Sequence, residues 1–169
     1  MQRPQFIAHW KEIEDAEAGS YPSSAELMSI SASFGRKFGL KRIGIHHERV
    51  PPGHRTSYPH AESTEEEFVY VIEGSPDVWI DGELHRLREG EGVVFVPGTG
   101  VTHTFINNTD TDVRLMVVGE TPRDDNRIHY ALHPDRNAMR KDHWSDWPGR
   151  LVGDHDGLPD RLRETNGPF

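Results

Sequence analysis

A chain of 169 residues is sized for one domain, and its hydrophobic share of 34% leaves part of it as arm or tail rather than core. Its 28 acidic against 19 basic side chains give a net charge of −9, which excludes general affinity for nucleic-acid backbones or anionic membrane surfaces. Cysteine is absent, so disulfides and thiolate metal sites are excluded, and no apolar run approaches the ~18 residues of a membrane span. With no signal-type apolar segment at its start, the expectation is a cytoplasmic protein with neither nucleic-acid nor membrane partners.

Residues 1–40 carry acids, small residues and glycines, with one modest apolar patch from Ala25 to Ile30, and read as an arm of short strands or turns. From 41 to 119 the pattern becomes brief apolar runs cut by turn signals. "RIGIHHERV" stops at "PPG", "FVYVIEG" at Gly74-Ser75-Pro76, and "DVWI" at Asp81-Gly82, a dipeptide suited to a tight hairpin. "GVVFVPGTG", "THTFINN" and "DVRLMVVGE" follow, and in the last of these Val113, Leu115 and Val117 share one face. Short valine-, isoleucine- and aromatic-rich runs at this spacing predict an all-β antiparallel sandwich or barrel. Residues 120–169 are rich in Pro, Gly, Asp and Arg, a polar tail with a short helix expected between Asn137 and Trp144. Trp144 and Trp147 are expected to dock that tail on the barrel or on a partner subunit. The tail is too poor in apolar residues for a second domain, so one domain spans 1–169.

Chemistry-bearing residues concentrate in "PHAESTEEEFVYVIEG", residues 59–74. His60 and Glu62 are one residue apart, so on an extended strand they face the same way, about 6.5–7 Å apart at their backbones. Thr56 and Tyr58 share that parity. Glu67 opens the next strand with Val69 and Val71 on its own face, while Glu65 and Glu66 read as turn. Far along the chain, His103, Phe105 and Asn107 share a face, and a closed β fold can bring His103 to the other three. Imidazole and carboxylate are the usual ligands of Mn, Fe, Co, Ni and Zn at open sites. Of His46 and His47, at most one can face the interior. Histidines 129, 133, 143 and 155 are assigned to the surface, and Phe68, Tyr70 and Trp79 to sheet packing. Arg49, Arg55 and Phe105 are the candidates for substrate contact, and Tyr58 or a glutamate for moving a proton.

These stretches resemble the two signature motifs of the cupin superfamily. In the first, six residues separate Gly53 from His60; Ala61 and Glu62 follow, four residues lead to Glu67, and six more to Gly74. In the second, Gly90, Pro97, Gly100, His103 and Asn107 follow in the family order. The resemblance covers about residues 41–119 and implies a double-stranded β-helix, the cupin jelly-roll barrel, with a metal ion near its centre. It implies a ligand set of His60, Glu62, Glu67 and His103. Glu62 stands where the family usually has a histidine, and two carboxylates favour Mn or Fe over Zn, Ni or Co. A three-ligand site with Glu62 turned away stays open, as does a barrel without metal. The implied function is a metal-dependent enzyme on a small oxygen-rich metabolite, by dioxygenase, isomerase, epimerase or lyase chemistry. The alternative is a non-catalytic cupin that binds or senses a small molecule. Strand pairing of the kind common among cupins makes a homodimer the expected assembly.

Overall fold

Strands form where β-branched and aromatic residues alternate between turn residues, and the computed structural model describes residues 3–151 and 153–164 of the chain. In chain order the strands are β1 (Ile30–Ser33), β2 (Ile43–Val50), β3 (His60–Glu62), β4 (Glu67–Glu73), β5 (Asp77–Ile80), β6 (Glu83–Arg86), β7 (Gly92–Phe95), β8 (His103–Ile106), β9 (Val113–Glu120) and β10 (Ile128–Tyr130). Among the described residues, three short α-helices accompany them, α1 (Phe34–Phe38), α2 (Pro134–Met139) and α3 (Asp160–Glu164), with a single 3-10 turn at Trp10–Glu12. One antiparallel sheet runs β1-β2-β9-β4-β7 and the other β10-β3-β8-β5-β6. This is the expected all-β jelly roll.

The turn chemistry behaves as read. Asp81 and Gly82 have φ of 48° and 93° and close the β5–β6 hairpin between the paired residues Ile80 and Glu83. Along β4, Val69 and Val71 are buried at 1% exposure, so alternation sends Phe68 and Tyr70 outward. β2 and β9 pair Val50 with Val113, Glu48 with Leu115 and His46 with Val117. The inner face therefore changes character along the strands. At the Val50 end Val71, Val78, Phe105, Val113 and Leu115 pack as a core; at the His46 end the interior turns polar.

The arm and the tail both fasten to the barrel. β1 pairs with β2, and Ser33 caps α1 by accepting from the Arg36 amide. Glu26 forms a two-pronged ion pair with the wholly buried Arg55, at 2.6 and 2.8 Å. Arg55 also donates to the Gly157 carbonyl, which ties arm, barrel and tail at one guanidinium. Trp144 is buried, and the Trp147 indole donates to the Gly100 carbonyl at 2.8 Å while stacking on His129. The tryptophans thus anchor the tail to the barrel. The tail helix is not where the sequence predicted it: Pro134, preorganised for a first helical turn, starts α2 earlier. Trp144 instead donates its amide to the Ile128 carbonyl. The Asp81 and Gly82 carbonyls accept from the Gly153 and His155 amides, and Gly82 and Gly153 touch so closely that a β-carbon on either would collide with the other's backbone. Among the described residues, no helix is long and apolar enough to cross a membrane.

Candidate functional site

The polar end of the barrel encloses a cavity of about 210 Å³. His60 and His103 are direct cross-strand partners on β3 and β8, with ring centroids 5.0 Å apart. Glu67, at the start of β4, faces them from the other sheet, its Oε1 3.2 Å from His103 Nε2. Phe95 stacks on the His103 ring at 3.4 Å between centroids and holds it in place. The three motif residues His60, Glu67 and His103 are therefore brought together, with Phe105 in the same cavity wall.

The hydrogen bonds assign protons. His60 Nδ1 lies 2.9 Å from the Tyr58 carbonyl, which can only accept, so Nδ1 carries the hydrogen and Nε2 keeps its lone pair. Burial, and then the charge of His103, push the His60 imidazole down to about 4, so it is neutral at pH 7. Burial works to raise the Glu67 carboxyl, but the hydrogen bond and charge of His103, with His60 and His46, outweigh it and hold Glu67 below its ordinary value. A neutral base, an ionised carboxylate and a second imidazole thus share one water-poor space. The His103 Nδ1 is buried without a hydrogen-bond partner.

The remaining predicted residues stand elsewhere. Tyr58 is not in the cavity wall: it is sandwiched between Tyr21 and His133, at 4.0 and 3.8 Å. The strand parity that placed it beside His60 does not apply, because β3 begins only at His60. Arg49 lies on the outer side of β2, ion-paired to Glu14 and Asp112, and Arg55 is consumed by Glu26 and Gly157. Neither arginine reaches the cavity. Glu62 is also absent from its wall; burial, then the charges of Glu65 and Glu67, push its carboxyl up to about 8 against a hydrogen bond from Asn126. His129 and His133 are not free surface groups either, since they stack on Trp147 and Tyr58.

Two cavity residues escaped the motif reading. His46 and Glu48 of β2 face His60 and His103 from the opposite sheet, and Ser29 from the arm donates to Glu48 at 2.7 Å. Ser31 holds His46 Nδ1 at 3.2 Å. Their signal was parity with Val50 in "RIGIHHERV": the even positions face in, while His47 faces out and stacks on Trp10. Burial, followed by the charge of Arg36, lowers the His46 imidazole, and burial raises the Glu48 carboxyl against the hydroxyls of Ser29 and Ser31. Among the described residues, no three His, Asp or Glu side chains stand in metal-ligating geometry.

Comparison with known proteins places this geometry. Residues 46–119 match the cupin domain family. Protein SchB of Streptomyces halstedii is 42% identical over 67 residues, 40% of this chain and 46% of that protein. Polyketide synthase CurC of Streptomyces cyaneus is 40% identical over 65 residues, 38% of this chain and 40% of that protein. The match thus spans less than half the length of these curated relatives. Among solved structures, a sugar phosphate isomerase of the cupin superfamily from Silicibacter pomeroyi superposes with a TM-score of 0.67 and 28% identity, over 74% of this chain and 81% of that one. The polyketide cyclase RemF from Streptomyces resistomycificus shares the fold, with a TM-score of 0.60 and 21% identity over 85% and 96% of the two chains.

Proposed function

Because this chain belongs to the cupin superfamily, we propose that its inner cavity is the active site of an enzyme for a small oxygen-rich metabolite, with His60, Glu67 and His103 holding one divalent transition metal. The observation that carries this reading is the approach of His103 Nε2 to Glu67 Oε1 at 3.2 Å. Two lone-pair atoms so close need a positive particle between them, and it is either a proton or a metal ion. His60 already offers a Nε2 lone pair, fixed by its bond to the Tyr58 carbonyl. Two imidazoles and a carboxylate suit Mn, Fe, Co, Ni or Zn, and Mn or Fe the more so if Glu62 joins them.

When bound, such an ion polarises substrate oxygens or, as iron, supports dioxygen chemistry. The chain's own residues supply the rest. Val69, Phe105 and Val117 exclude water from the cavity, and His46, held below its ordinary value by burial, is a free base at pH 7. It stands across the cavity from His60 and His103, so a substrate held against those two residues would meet a base from the facing wall. That arrangement suits proton movement along an oxygen-rich carbon skeleton. It fits relatives named for polyketide synthesis and for sugar phosphate isomerisation better than it fits ring cleavage by dioxygen.

Elemental analysis of purified protein tests the metal. The expected result is close to one transition metal per chain, lost in His103→Ala; trace metal in both proteins overturns it. One observation favours the non-catalytic alternative: the described donors do not converge as they stand. On that reading an organic ligand raises the melting temperature equally with and without a chelator. A homodimer is proposed with either reading, through the open outer face of the first sheet around Ile43, Val94 and Val96.

A further inference from the structure

Across the cavity from His60, Glu67 and His103 lies a chain of three linked polar side chains. Ser31 of β1 is the cross-strand partner of Glu48 on β2, and His46 shares the inward face of Glu48 two residues before it. The Ser31 hydroxyl joins the other two, at 3.2 Å from His46 Nδ1 and in a hydrogen bond with the Glu48 carboxyl. Without it they do not meet, because Glu48 Oε1 is 3.8 Å from His46 Nδ1. Ser29 holds the other carboxyl oxygen, donating to Glu48 Oε2 at 2.7 Å. A β-carbon on Gly44 would stand 3.3 Å from His46 Nε2, so the glycine leaves room at that second ring nitrogen.

Ser31 has one hydrogen to give, and this ties the protons of its two neighbours together. An ionised Glu48 can only accept, so Ser31 donates to it and His46 must present Nδ1–H to the serine oxygen. Nε2 is then a bare base. A protonated Glu48 instead donates to Ser31, Ser31 turns its hydrogen to Nδ1, and Nε2 carries the proton. The same heavy atoms thus hold two proton arrangements, with His46 neutral in both. Burial favours the neutral form of each group, lowering the His46 imidazole and raising the Glu48 carboxyl. Among the surrounding charges, Arg36 lowers His46 further, and Asp15 and Glu67 raise both groups.

We propose that Ser31 and Glu48 are positioning residues that make His46 a relay. Nε2 takes a proton from the ligand while Nδ1 passes its own to Ser31, and Ser31 passes its hydrogen on to Glu48. The electron pair stays on the ligand, the serine O–H bond is remade as it breaks, and the reverse sequence returns the proton to another ligand atom. No imidazolium forms. This rests on reading the cavity as a site of proton movement, whereas the two proton arrangements belong to the resting protein and need neither substrate nor metal.

Nitrogen-15 spectra of the histidine rings in the chelator-treated full chain read the tautomer of His46, whose signals are identified by their loss in His46→Gln. Above neutral pH the hydrogen is expected on Nδ1. Glu48→Gln is a stable copy of the proton-loaded state: Ser29 keeps the amide oxygen, the amide nitrogen donates to Ser31, and the His46 hydrogen should move to Nε2. Ser31→Ala breaks the chain and should leave a mixture of tautomers, and Ser31→Thr should restore Nδ1–H. As the parent is acidified, the shift from Nδ1–H to Nε2–H should precede the imidazolium. Retention of Nδ1–H in Glu48→Gln, or an imidazolium that forms with no earlier shift, overturns the proposal. Should Ser31→Ala lose its cooperative melt, Glu48→Gln and the acid titration of the parent decide. Elemental analysis of the untreated protein keeps the metal separate. A tautomer shift in protein that binds no metal defeats the metal and leaves the relay; a fixed tautomer in protein that binds one metal per chain defeats the relay and leaves the metal.

Discussion

On the second sheet the outward side chains Trp79, Thr104 and Ile106 are wholly covered, whereas on the first Ile43 and Val94 are 49% and 67% exposed. Both faces carry apolar residues, so composition does not explain the difference. What differs is the chain that follows. The tail crosses the second sheet and brings partners for its polar atoms: the Trp79 indole donates to the His155 carbonyl, and Arg55 to that of Gly157. The first sheet receives no comparable cover from the described residues. Among the described residues, one side of the barrel is finished by its own chain, and the other keeps an exposed apolar face.

The largest expected effect comes from breaking the finished side at its joint. Arg55→Ala strands the buried Glu26 carboxylate and should cost about 3–5 kcal/mol in urea unfolding. Replacing both partners with apolar residues should recover most of that loss; a single variant as stable as the parent would mean that arm and tail are held independently. A smaller effect is expected from acid. Burial, with the charges of Arg55 and Arg136, pushes His133 down to about 4 from an ordinary 6.5. Its folded value lies below its unfolded one, so its contribution is complete above pH 6.5 and is lost as pH falls toward 4. The melting temperature should drop across that window, and His133→Gln should flatten the drop; an identical slope would place the acid sensitivity in other groups. The smallest effect belongs to the open side. Val94→Ser should change monomer stability by no more than about 0.5 kcal/mol. If the open face joins two copies, Val94→Glu with Val96→Glu should shift the mass in light scattering from dimer to monomer. An unchanged mass removes this face as the contact.

Much of the barrel was legible because its signals are local. Asp81-Gly82 specifies its own turn, and Val113, Leu115 and Val117 announce one inward face. His60, Glu67 and His103 were legible as a set only through their resemblance to a motif, since nothing local says that β3 and β8 are neighbours. Tyr58, Arg49 and Arg55 were misplaced for physical reasons. Parity fails outside a strand, and an arginine near a motif is as readily bound by an acid from a distant arm, as Glu14 and Glu26 do here. Ser29 and Glu48 needed the pairing of β1 with β2 before their shared wall could be seen.

The contact between Gly82 and Gly153 gives this architecture an unusual kind of coupling. The tail is latched there main chain to main chain, so no side chain at either position can be tuned to relieve a change at the other. A methyl group at either glycine prises the same seam apart. Once one has lifted the tail, a second has little left to disrupt, so the two replacements together should cost less than the sum of each alone. Two positions far apart in the chain therefore behave, thermodynamically, as one.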